Sequence, residues 1–182
     1  MGVGTGTIIN SYLPEIGYTY EPYILTALHN TANFWSNDKH YIGINPEEWV
    51  VHYNFQSPTC DRVNGNDQMY SIGVEVISEH GDPNPSKNPS EEEIWPDISL
   101  IKLLETMPFH YNIYYAGWMI KDFEDLGQKK DITIIHHPRG DIKKVSTAKI
   151  YNDISYQYNS LCWYANPVLG TTQPGSSGAP WF

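Results

Sequence analysis

The chain is cut into short runs of β-formers separated by clusters of turn-formers, and this rhythm limits its fold more than any other feature. The runs are "GTIIN", "PYILTAL", "EWVVHYNF", "YSIGVEVISEH", "DISLIKLLE", "NIYYAGWM", "ITIIHHP" and "KKVSTAKIY". Gly, Pro, Asn and Ser fill the gaps between them. Strands of this length with turn signals between them predict an all-β sandwich or barrel. No internal repeat, heptad or amphipathic helix of useful length competes, and the best helical candidate is a short turn after Ala27. The 14 tyrosines and six tryptophans point the same way, because aromatic rings suit a pleated, half-buried surface.

At 182 residues the chain can form one large domain or two small barrels sharing an interface. Its richest loop is "GDPNPSKNPSEEEIWP", residues 81–96, whose prolines and three successive glutamates mark a solvated connection. The break "ETMPFHYN", residues 105–112, has β-runs on both sides. It divides the chain into an N-terminal unit, 1–107, and a C-terminal unit, 108–182.

A formal net charge of −10 argues against a nucleic-acid partner, since nothing would neutralise the phosphates. The acidic balance can draw basic substrates weakly. No apolar run is long enough to span a bilayer. Two cysteines, Cys60 and Cys162, cannot define a disulfide framework. They fall in different units and are not expected to bond to each other. His136, His137 and Pro138 invite a metal reading, but adjacent strand residues point to opposite faces and no acid or cysteine stands at a suitable spacing. The expectation is a packing role, with no metal and no cofactor.

Three stretches carry candidate chemistry. His29 follows a β-run in "YILTALHN", Asp97 opens one in "WPDISLIKL", and Ser177 lies between glycines in "QPGSSGAP". Singly, each has a plain structural reading: a solvent-facing histidine, a turn aspartate bonded to its own backbone, a flexible turn. Jointly, the order His, Asp, Ser is one of the known chain orders of the Ser-His-Asp triad, the one built on double β-barrels.

With these flanks the sequence resembles the trypsin-fold serine endopeptidases, and most closely the bacterial lysyl endopeptidase-like branch. "TGTIIN", "LTALH", "NFQSPTC", "DISLIKL", "AGW", "IIHHPRGDIKKVS" and "TTQPGSSGAP" carry the resemblance over nearly the whole chain. It implies two six-stranded antiparallel β-barrels of the trypsin type, the second incomplete, and peptide-bond hydrolysis through an acyl-enzyme. Ser177 would be the nucleophile, His29 its general base and Asp97 the carboxylate that orients the imidazole. The backbone N–H groups of Gly175 and Ser177 would form the oxyanion hole. Ser176 competes as nucleophile, but the Gly-Xaa-Ser-Gly frame selects Ser177. The partners implied are protein or peptide substrates, met by a secreted protein that is monomeric at full length. Secretion comes from the resemblance and not from the residues after Met1. The rival reading is a protease-fold binding module that has lost catalysis.

Departures from the family pattern sharpen the expectations. Trypsin-like enzymes activated by a new N-terminus carry an acid just before the nucleophile, and here Ser176 stands in its place. The resemblance thus implies an activation pocket without an N-terminal ion pair. In the lysyl endopeptidase pattern a cysteine after the histidine bridges to one before the "TG" strand; here the positions are Asn30 and Gly4, so both partners are absent together. Cys60 matches a family cysteine whose partner lies upstream of Met1, and Cys162 has no counterpart. Thr171 stands six residues before the nucleophile, at the specificity-pocket position. The acid behind a lysine preference belongs beyond Phe182, so the substrate side chain is not encoded here. The same comparison makes the chain a fragment, with roughly 40 to 80 residues of further strands expected after Phe182.

Overall fold

A computed structural model describes residues 3–13, 17–31, 45–59, 64–81, 96–117, 129–151 and 164–182. Cys60, Cys162 and residues 82–95 of the long loop lie outside the described residues. Among the described residues nine strands carry the fold: β1 (Gly6–Leu13), β2 (Gly17–Thr26), β3 (Val50–His52), β4 (Tyr70–Ile72), β5 (Val74–His80), β6 (Ile98–Leu103), β7 (Lys129–His136), β8 (Lys144–Tyr151) and β9 (Tyr164–Leu169). The one α-helical turn among the described residues, α1 (Leu28–Thr31), comes directly after Ala27, as the sequence predicted. The protein is all-β.

The described strands form three antiparallel sheets, ordered β1-β2-β6-β5, β3-β4 and β7-β8-β9. The four-stranded and three-stranded sheets each have an apolar face set by period-2 alternation. On β6, Ser99, Ile101 and Leu103 turn inward while Ile98 is exposed. Ile101 pairs with Ile24 of β2 and Val76 of β5, and with Tyr53, Val74 and Leu103 these strands form the first core cluster. Trp49, Val51 and Met69 bring the β3-β4 pair onto it. A second cluster, Ile132, Ile134, Ala148 and Ile150, lies between β7 and β8, with Ala179 packed against it. Thr133 exchanges backbone hydrogen bonds with Phe182, so the chain's last residues lie along β7.

Three runs depart from their sequence reading for identifiable reasons. "YSIGVEVISEH" is broken into β4 and β5 at Gly73, whose φ of +86° is open to glycine and costly for other residues. "NIYYAGWM" gives no strand among its described residues. It starts from Asn112 in the left-handed region (φ +49°), and only Ala116 pairs, bridging to Ile9. β9 is a strand the β-run pattern passes over, because "YANPVL" contains Pro167. That proline is accommodated beside a register shift at Thr147/Ala148 in a strand that, among the described residues, pairs on one side only, which is where a residue without an N–H is tolerated.

Candidate active site

The β2–β6 register brings the first two candidate residues together. Thr26 pairs with Ser99, and continuing the ladder outward sets Asp97 level with Leu28, one residue from His29. Asp97 then grips the histidine twice: Oδ1 accepts from the His29 backbone N–H at 2.9 Å, and Oδ2 lies 2.6 Å from the ring Nδ1. When the Asp97 carboxylate is ionised it can only accept, so Nδ1 would then be the donor and Nε2 the basic nitrogen of the ring. The two side chains are 37% and 50% exposed, which leaves the pair open to a substrate.

Ser177 lies in the turn that follows Gln173, and the backbone of this turn is held from several sides. Ser176 N–H donates to Gln173 C=O at 2.9 Å, Arg139 N–H to Pro174 C=O at 2.6 Å, and Thr5 Oγ1 to Gly175 C=O at 2.8 Å. Gly175 has φ +94°, and a Cβ there would fall 2.9 Å from the His137 carbonyl oxygen. Only glycine fits both the angle and the space. Among the described residues no backbone carbonyl accepts from the Gly175 or Ser177 N–H, while the neighbouring carbonyls are engaged. That pattern is the one an oxyanion hole built from these two N–H groups would require.

The Ser177 loop is tied to the His29 segment through its backbone. Thr5 N–H donates to the Ser177 carbonyl at 2.9 Å, and Asn30 Nδ2 donates to the same oxygen at 2.8 Å and to Thr26 Oγ1 at 3.0 Å. Thr26 Oγ1 in turn donates to Thr5 C=O at 2.7 Å. Asn30 directly follows His29, so the residue next to the candidate base is bonded to the carbonyl of the candidate nucleophile. The clamp also reaches Gly4. A Cβ on Gly4 would collide with the Asn30 amide, so the asparagine amide occupies the space beside residue 4.

The remaining sequence candidates separate cleanly. His136 continues the inward phase of Ile132 and Ile134 and is fully buried. Its Nδ1 lies 2.7 Å from Ser176 Oγ and its Nε2 2.9 Å from Ser146 Oγ, so both ring nitrogens are used for packing. Burial lowers its pKa, as it does that of His137, whose Nδ1 meets the Asp141 carbonyl. Thr171 is exposed, with its hydroxyl turned to the Thr172 carbonyl. A groove of about 460 Å³ lined by Glu21, Pro22, Lys102 and Glu105 lies at the opposite end of β6 from Asp97 and touches none of these residues. The sequence reading missed Thr5, Thr26 and Asn30. Their side chains act through contacts as far as 170 residues apart, which no local pattern encodes.

The model of the family "Lysyl endopeptidase, C-terminal domain" matches residues 1–182. The chain belongs to this protease-related family.

Proposed function

With that family as the premise, we propose that the protein is a serine endopeptidase whose triad is His29, Asp97 and Ser177. The observation that carries the reading is the double grip of Asp97 on His29, beside a serine loop bonded to the next residue along. Ser177 Oγ would attack the carbonyl carbon of the scissile peptide bond while Nε2 of His29 takes the hydroxyl proton. The resulting oxyanion would be received by the Gly175 and Ser177 N–H groups. Collapse of the tetrahedral intermediate breaks the C–N bond, and the imidazolium returns its proton to the leaving amine. Water, deprotonated by the same imidazole, then hydrolyses the acyl ester and regenerates Ser177. Asp97 stabilises the transient imidazolium and fixes the tautomer throughout.

The reading carries with it the trypsin-type pair of barrels, divided near residue 107, and a secreted, monomeric protein acting on protein or peptide chains. Among the described residues no helix is long and apolar enough to cross a membrane.

Labelling with a fluorophosphonate tests the proposal. The protein is expected to be labelled at Ser177 and to cleave a denatured protein substrate. Ser177→Ala should abolish labelling and lower turnover by about 10⁴ or more, the scale of other triads. Labelling that survives Ser177→Ala would overturn the assignment, and a folded protein with neither labelling nor turnover would leave the binding-module reading.

A further inference from the structure

His136 is the only imidazole, amine, guanidinium or carboxylate that is fully buried among the described residues, and the proposed reaction makes no use of it. An apolar side chain continuing the Ile132–Ile134 face would fill this position without the cost of desolvating a ring with two polar atoms. The ring is instead satisfied at both ends, by Ser146 of β8 at Nε2 and by Ser176 at Nδ1. Ser146 and Ser176 are themselves buried. A neutral imidazole donates at one nitrogen and accepts at the other, and a hydroxyl can do either, so the chain Ser146–His136–Ser176 closes in both tautomers.

The far end of this chain lies next to the proposed nucleophile. Ser176 Oγ also accepts from the Gln173 N–H at 3.2 Å, and the Ser176 N–H donates to the Gln173 carbonyl. Side chain and backbone of Ser176 thus both close the turn that contains Gly175, and Ser177 is the next residue. The Ser177 carbonyl, by contrast, accepts from the Thr5 N–H and the Asn30 amide.

Building on the reading of Ser177 as nucleophile, we infer that His136 is a positioning residue, which holds Ser176 against the β7-β8 sheet and so sets the direction of the Gly175 and Ser177 N–H groups. It supplies, through uncharged hydrogen bonds, an anchor for the residue before the nucleophile. Losing the anchor impairs the transition state more than substrate binding, because those N–H groups are used most once the oxyanion forms.

The test compares wild type, Ser177→Ala, Ser176→Ala, His136→Asn and His136→Gln by the kinetics of fluorophosphonate inactivation, with folding followed by circular dichroism and urea midpoint. The asparagine amide reaches the position of Nδ1, and the glutamine amide that of Nε2, so Asn keeps the link to Ser176 and Gln keeps only that to Ser146. Gln and Ser176→Ala are expected to lower the limiting inactivation rate roughly 100-fold, the scale of a weakened oxyanion donor, with the half-saturating probe concentration unchanged. Asn should recover most of that loss. Equal rates in wild type and Ser176→Ala overturn the inference, whether or not the His136 variants fold. Equal losses in Asn and Gln that follow their loss of stability also overturn it, since a plain core residue behaves in that way. Labelling that persists in Ser177→Ala overturns the nucleophile assignment itself and this inference with it, so the two failures are told apart.

Discussion

Asn30 ties three segments with one amide. It donates to Thr26 on β2 and to the Ser177 carbonyl, and it fills the space beside Gly4. Asn30→Ala leaves both acceptors without that donor, a loss of about 1–3 kcal/mol for partly buried groups. The urea midpoint should fall accordingly, and the rate of fluorophosphonate labelling should fall with it; a variant as stable as wild type would show that the clamp contributes nothing. Gly4→Ala approaches the same clamp from the other side, because its methyl must displace the Asn30 amide. At this scale the His29, Asp97 and Ser177 candidates were legible, since residue type, chain order and flanking glycines all lie in the linear sequence. The role of Asn30 was not. The sequence places it directly after His29, but which bonds it makes depends on how Thr26 and Ser177 meet after folding.

β6 links the core to the site at the scale of a single element. Asp97 stands just before its outer end, and its inward face carries Ile101 between Ile24 and Val76. Ile101→Ala opens a cavity in the first cluster and should cost about 2–5 kcal/mol, seen as a lower urea midpoint with an unchanged slope. Val145 of β8 is 59% exposed, and Val145→Thr should stay within about 0.5 kcal/mol of wild type. Similar losses in the two variants would mean that the core has been wrongly located. The strand pattern of β6 could be read from "DISLIKL" because alternation of inward and outward side chains is a local property. β9 could not, because its proline contradicts a central strand and only the neighbouring sheet reveals that the strand pairs on one side. The break inside "YSIGVEVISEH" was equally hidden, since a glycine in a β-run fits an ordinary strand position as well as the φ of +86° that Gly73 adopts.

The molecule as a whole should lose stability toward acid in two steps that share one sign. His136 and His137 titrate below the ordinary imidazole value of 6.5 because burial disfavours the imidazolium. For His137 the nearby Lys143 and His136 act in the same direction, while the Asp141 carbonyl and carboxylate oppose it. As pH falls past about 6.5 the unfolded chain binds protons that the folded chain refuses, so stability declines across that window. Asp141 adds a second step. The Ile142 N–H and then Lys144 hold its pKa below 3.8, so the unfolded state again takes up the proton first as the pH falls further. The urea midpoint should therefore be nearly level from pH 8 to 7 and decline below about 6.5, with a further decline near pH 4 and below. His136→Asn removes one titrating group, and in a folded variant it should flatten the first step while leaving the second in place. A first step of unchanged size in that variant would show that His136 accepts its proton without unfolding, which is incompatible with a ring held between two buried serines in its neutral form.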